Sequence, residues 1–373
     1  MHIGIDARFL GPEGKGLGRY TEKLIKNLET VDQMNRYSIF LRQENWDKYT
    51  PENSSFRKVL APYRWYSLKE QTDFPRLLNK ERLDLVHFPH FNIPIFYRKP
   101  FVVTIHDLII THYPTTRATT SGPIKYFFKR HGYRLVISSA IKRAKKVITV
   151  SEYTKKELID FFSLSPKKIE VTYEAADPFI EGADAPEVVL SKYKIDKPYL
   201  LYVGNAYPHK NLEMLLEAHK DLIKKHPGLK LVLVGRMDYF YSRLKKQSDG
   251  LGLDKDVIFP GYVPDADLPA LYRQAELYVF PSLAEGFGLP PLEAMQYGIP
   301  VVSSSVSSLP EVLGQSAAYF DPTDKHAIVK VLSDLINNPE KKDLLCQRGY
   351  ENIKKFSWKK MAEETLSLYQ NSL

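Results

Sequence analysis

The stretch Leu277-Tyr-Val-Phe-Pro-Ser-Leu-Ala-Glu-Gly-Phe-Gly-Leu-Pro-Pro-Leu-Glu293 reads as a buried strand, a glycine turn and the start of a helix. Leu277–Phe280 is an apolar run of strand length, and Glu293-Ala-Met-Gln reads as helix before Gly298. A helix start exposes backbone N–H groups that no intrahelical carbonyl can satisfy, so the turn is a natural anion site. Two carboxylates eight residues apart, Glu285 and Glu293, bracket Gly286, Gly288 and Pro290 in that turn. Carboxylates are out of place around a site for phosphate alone. They suit a ligand that is both phosphorylated and rich in hydroxyls, such as a nucleotide sugar.

Outward from this stretch, apolar runs of strand length alternate with helical patterns in both directions. Upstream in the same half are Tyr199–Val203, Leu229–Val234 and Val257–Phe259, and downstream is Val301–Ser303. Leu212–His219 and Leu268–Gln274 read as helices between them. The first half repeats the pattern with Ile3–Asp6, Tyr37–Leu41, Asp84–Phe88, Phe101–Ile105, Val147–Val150 and Ile169–Thr172. Its clearest helix is Arg19–Leu28, where Tyr20, Leu24 and Leu28 recur at helical spacing. Such alternation predicts an α/β fold with parallel sheets wrapped by helices. The turn-rich, acidic stretch Asp177–Pro186 interrupts it. We therefore expect two doubly wound Rossmann-like domains, residues 1–185 and 186–373, facing each other across a cleft. The helical tail from about Pro339 is free to pack on either. Ligands of such domains bind at the carboxyl ends of the strands.

Bulk properties narrow the class. A chain of 373 residues is too long for one ordinary core. No apolar run approaches the roughly 20 residues of a membrane span. The N-terminus, Met1–Asp6, reads as a strand rather than a leader. The single cysteine, Cys346, excludes an intramolecular disulfide and a cysteine zinc cage, and fits a reducing cytoplasm. The formal charge of +9 favours an anionic partner: a phosphorylated substrate, an anionic membrane face or nucleic acid.

Each chemical motif is weighed against a plainer reading. Gly11-Pro-Glu-Gly-Lys-Gly-Leu-Gly18 follows the first strand and lacks both G-x-G-x-x-G and a P-loop, so dehydrogenases and nucleoside triphosphatases lose their fingerprint. Gly16 and Gly18 would let the backbone approach a ligand before a helix starting near Arg19; the alternative is a surface loop. His106 ends a strand and would offer a donor to a sugar hydroxyl or the main chain, unless it only caps that strand. In Val203-Gly-Asn-Ala-Tyr-Pro-His-Lys-Asn211, Lys210 would sit near a helix N-terminus, unfavourable against the helix dipole unless an anion lies between. That argues for a phosphate partner over a solvated lysine. Arg236 could reach the same phosphate or remain a surface arginine. Phe259-Pro-Gly-Tyr-Val263 would bring the backbone at Tyr262 and Val263 to the edge of a base, or form an ordinary turn. Lys125–Lys146 holds eight basic residues and no acid, interleaved with aromatics, and reads as a contact for an anionic membrane or lipid-linked acceptor, as a nucleic-acid patch, or as a solvated helix face.

Taken together, these residues resemble glycosyltransferase family 4, the large retaining group of GT-B fold. The resemblance spans nearly the whole chain and rests on Glu285–Glu293, Gly298-Ile-Pro-Val-Val302, Phe259-Pro-Gly-Tyr262 and the loop ending at Lys210. It implies a donor-binding C-terminal domain and an acceptor-binding N-terminal one. Glu285 and His106 would contact the donor sugar. Lys210 would neutralise the diphosphate, joined by Gly16. The backbone at Gly286, Phe287, Gly288 and Leu289 would meet sugar and diphosphate, and Glu293 would accept from the ribose. Many members carry an arginine where this chain has Asn205, so half of the phosphate clamp is replaced, with Arg236 or Asn205 itself as the substitute. The implied activity is retaining, metal-independent hexosyl transfer in cell-surface polysaccharide synthesis, with no cofactor beyond a GDP- or UDP-linked donor sugar. The acceptor would be a glycan or a lipid-linked glycan, met in the cytoplasm or at the inner membrane face, and no nucleic acid is expected. A nucleotide-sugar epimerase of the same architecture and a non-enzymatic polyanion-binding protein are the competing readings.

Overall fold

The computed structural model describes residues 1–113, 123–177, 180–182 and 184–372; side chains at 12 and 123–131 lie outside the description. The chain forms two compact units. The first begins at Met1, runs to Glu174 apart from a short stretch after His112, and includes the chain from Ser357 onward; the second holds Ala175–Phe356. The division thus falls ahead of the expected boundary at 185, and the last helix is grouped with the first unit.

The first unit is built on a parallel sheet of β1 (His2–Asp6), β2 (Arg36–Leu41), β3 (Phe56–Leu60), β4 (Leu85–Phe88), β5 (Phe101–Ile105), β6 (Val147–Thr149) and β7 (Ile169–Val171). Their spatial order is β3-β2-β1-β4-β5-β6-β7. The second holds β8 (Tyr199–Val203), β9 (Lys230–Val234), β10 (Val257–Gly261), β11 (Leu277–Phe280), β12 (Val301–Ser304) and β13 (Ala317–Phe320), ordered β10-β9-β8-β11-β12-β13. The central strands carry continuous apolar runs because helices cover both faces of a parallel sheet; Phe101, Val102, Val103 and Ile105 are all buried. In each sheet the winding reverses beside the first strand, between β1 and β4 and between β8 and β11. Such reversals open a crevice at the strands' carboxyl ends.

Within the first unit the C-terminal helix Trp358–Gln370 packs against Lys15–Val31. It buries Trp358, Met361, Leu368 and Tyr369, and the Tyr369 hydroxyl lies 2.6 Å from His87 Nδ1 on β4.

Three local readings change. The first helix starts at Lys15 rather than near Arg19, so Gly16 and Gly18 lie in its opening turn. β10 continues through Phe259-Pro-Gly261, two residues beyond the strand end read at Phe259, with a register shift after Ile258. Pro260 is tolerated there because β10 is an edge strand. The helix after the glycine turn begins at Leu289, four residues before Glu293.

Candidate functional site

The second unit concentrates its charged candidates at the reversal between β8 and β11. These strands pair in parallel, Leu277 beside Leu200 and Tyr278 beside Leu201, so their carboxyl ends emerge side by side. The loop after β8 makes a short 3-10 turn, Pro208–Lys210, and Asn211 then adopts a left-handed conformation to start the helix Leu212–Lys225. Asn211 fits that role because its short amide tolerates positive φ. Its Nδ2 also donates to Pro281 O at 3.1 Å and Pro322 O at 2.8 Å, joining three loops. Leu283 N donates to His209 O at 2.7 Å, which ties the loop after β11 to the same turn.

These ties bring Lys210 and Glu285 together. Lys210 Nζ is 2.5 Å from Glu285 Oε1, and the two side chains are only 12% and 10% exposed. The ammonium also lies 5.4 Å above the Phe280 ring. The sequence argument required an anion to justify a lysine beside a helix N-terminus; in the structure the carboxylate of Glu285 supplies it. Burial, and then the Lys210 charge, push the pKa of His209 down to about 4, so His209 is neutral at pH 7.

The glycine turn after Glu285 is fastened from below. Ser307 Oγ accepts from Glu285 N at 3.0 Å, while Ser308 Oγ donates to Glu285 O at 3.0 Å and Phe287 O at 3.1 Å. Gly288 has φ +104, and a Cβ there would meet Leu309 Cδ2 at 2.7 Å. Only glycine fits both the dihedral and the space. Pro290 and Pro291 fill the first turn of the helix Leu289–Gln296 and carry no N–H. Donors at this helix start are therefore concentrated at the glycine turn. Phe287 is 3% exposed and its ring meets Phe356 edge-on, so its side chain is core. Glu293, on the same helix, is half-buried. The two serines were not singled out from sequence, since Val301-Val-Ser-Ser-Ser-Val-Ser-Ser308 carries no charge or spacing signal.

The remaining candidates are distributed around this centre and in the first unit. Asn205 Oδ1 accepts from Tyr207 N at 3.2 Å, and its carbonyl accepts from Tyr202 Oη at 2.7 Å. Tyr241 Oη donates to Gly204 O at 2.9 Å and Val234 O at 2.8 Å, binding the ends of β8 and β9 together. Arg236 follows β9 and is exposed, outside the ion pairs found among the described residues. Tyr262 is 63% exposed, whereas the Val263 side chain is buried.

In the first unit, Gly16 is exposed with open space around it, and Gly18 is buried where a Cβ would meet Gly11 O at 2.2 Å. Gly18 thus has a packing reason of its own. His106 is engaged at both ring nitrogens. Nε2 donates to Pro89 O at 3.0 Å, and Nδ1 lies 3.2 Å from Glu174 Oε1. Burial opposes charge on this ring, but the Glu174 carboxylate outweighs it and raises the pKa above the ordinary value. Of the basic segment, Lys125, Lys129 and Arg130, with Tyr126, Phe127 and Phe128, have side chains outside the described residues. Arg134, Leu135, Lys142 and Lys145 are exposed, whereas Arg143 donates to Ile95 O and Lys146 pairs with Glu170. Among the described residues no group of three or more His, Cys, Asp or Glu is placed to share a metal ion, and no helix is long and apolar enough to cross a membrane.

The chain matches the family models described as Glycosyl transferases group 1 over residues 190–354 and Glycosyltransferase Family 4 over residues 14–178. It is 30% identical to O-antigen chain mannosyltransferase B of Escherichia coli, covering 95% of this chain and 96% of that one. It is 25% identical to O-antigen chain mannosyltransferase RfbU of Salmonella typhimurium strain LT2, covering 95% and 98%. Its fold is similar to that of sucrose-phosphate synthase from Thermosynechococcus elongatus, with a TM-score of 0.79 at 18% identity over 100% of this chain and 98% of that one.

Proposed function

This chain belongs to glycosyltransferase family 4, and we propose that it moves mannose from a nucleoside-diphosphate donor to a growing surface glycan with retention of anomeric configuration. The observation that carries the proposal is the Lys210–Glu285 pair at the β8/β11 reversal, beside the glycine turn. Support for mannose and for a surface glycan comes from the names of the two relatives, both O-antigen chain mannosyltransferases.

In this reading the second unit binds the donor. Lys210 and the backbone donors of the glycine turn hold the diphosphate, Glu285 accepts from hydroxyls of the sugar, and Glu293 accepts from the ribose. The bond between the anomeric carbon and the β-phosphate oxygen breaks, and negative charge grows on that oxygen. Donors already aimed there stabilise the developing charge without reorganisation, usually the largest single contribution to such catalysis. The acceptor hydroxyl attacks from the face the phosphate leaves, and its proton passes to the departing phosphate. The products are the glycoside and a nucleoside diphosphate. Lys210 supplies the charge neutralisation for which other transferases use a metal ion.

The test is incubation of the purified protein with GDP-mannose or UDP-hexoses, with and without a mannose-terminated lipid-linked oligosaccharide. Acceptor-dependent release of nucleoside diphosphate together with a new α-mannoside supports the proposal. Donor consumption that needs no acceptor and forms no glycoside contradicts it in favour of an epimerase.

A further inference from the structure

We infer that Glu285 and Lys210 form an exchangeable latch that makes this site discriminate a nucleotide sugar from the bare nucleoside diphosphate it leaves behind. The inference rests on the donor-site reading above and goes beyond it by assigning a role in product release. The pair is direct, at 2.5 Å, and almost withdrawn from solvent. Its backbone is not free to move apart: Leu283 N is bonded to His209 O, and Ser307 and Ser308 hold Glu285 on both sides. Parting the two charges therefore falls to side-chain rotation.

A phosphate that approaches Lys210 finds the lysine already neutralised. It must take the ammonium from Glu285 and leave a carboxylate in a poorly hydrated place. Losing a hydrogen bond to a charged group there is costly, because little water can replace it. A nucleotide sugar returns that loss, because the sugar hydroxyls offer donors to the carboxylate released. A nucleoside diphosphate has no sugar to offer, and its terminal phosphate adds negative charge facing Glu285. Once the glycosyl group has left, the carboxylate regains Lys210 and weakens the hold on the product. The latch thus lowers affinity for the product selectively, with the same residue that accepts from the donor sugar.

The experiment is titration calorimetry of the full chain with GDP, UDP, GDP-mannose and UDP-glucose, on the wild type and on Glu285→Gln, Glu285→Ala and Lys210→Ala. Glutamine keeps the size and removes the charge. We expect Glu285→Gln to bind the accepted nucleoside diphosphate about tenfold more tightly than wild type, equivalent to about 1.4 kcal/mol. Its affinity for the matching nucleotide sugar should rise much less or fall, so that the wild-type preference for the sugar conjugate shrinks. Glu285→Ala should shift in the same direction, and Lys210→Ala should weaken both ligands. Unchanged or weaker diphosphate binding by both Glu285 variants, with cooperative unfolding retained, overturns the latch while leaving the donor site standing. Absence of binding by wild type to any of the four nucleotides overturns the donor-site reading itself and the latch with it.

Discussion

At the scale of single residues, three histidines of the first unit contribute to the pH dependence of stability in opposite senses. His87 is fully buried and His90 half-buried, and desolvation first, then the His106 charge, push their pKa values down to about 3. The unfolded chain takes up protons below about 6.5 that the folded chain refuses, so these two erode stability as pH falls from about 6.5 toward 3. His106 works in the opposite window. Its pKa is raised by Glu174 against burial, so the pair stabilises fully below about 6.5, and that contribution fades as pH rises through the raised value. Denaturant unfolding of wild type and Glu174→Gln over a pH series should show the largest gap near pH 6 and a smaller one at pH 9. A gap that grows with pH would contradict the charge placed on His106. The same residue illustrates what a sequence leaves open: Ile105-His106-Asp107 marks a strand end, but Glu174 lies 68 positions away, and only the sheet order brings them together.

At the scale of elements, the loop after β8 is fastened by a tyrosine hydroxyl. Tyr241 Oη spans Gly204 O and Val234 O. Tyr241→Phe removes the one hydrogen shared between them with little change in volume; Val234 O keeps its bond from Gly204 N, so the loss falls mainly on Gly204 O and should cost about 1–3 kcal/mol. If the β8 loop positions Lys210 as argued, the variant should also lower kcat more than it raises KM for the donor. The central strands were legible because burial on both faces leaves no alternative to apolar runs: Phe101–Ile105, Tyr199–Val203 and Leu277–Phe280 have the limits read from sequence. β3 and β13 were not. Both lie at sheet edges; in β3 two charged residues break the apolar run of Phe-Arg-Lys-Val-Leu60, whereas Ala-Ala-Tyr-Phe320 is apolar but short. The glycine turn was legible as a strand end, a turn and a helix start because glycines and prolines are strong local signals. The serines that fasten it gave no such signal, since their role depends on β12 lying next to β11.

At the scale of the whole molecule, the chain crosses its own domain order. Sequence adjacency placed the last helix with the second half, with freedom to pack on either domain, and the fold groups it with the first unit. Tyr369 is buried there against His87, which is itself fully buried and bonded to Thr104. Tyr369→Phe strips one partner from that histidine and should cost about 1–3 kcal/mol, read as a lower midpoint in denaturant unfolding. An unchanged midpoint would mean that the helix is not held through this contact. Family membership, two parallel sheets with the same winding and a charged pair at the second sheet's reversal support the central proposal, that Lys210 stabilises the diphosphate as the bond between the sugar and the diphosphate breaks. The most direct test is the turnover number of Lys210→Ala at saturating donor and acceptor. The account predicts a fall of about 10²–10³-fold, the loss seen when one preorganised donor to a developing anion is removed. Turnover near that of wild type, in a variant that unfolds cooperatively, would contradict it.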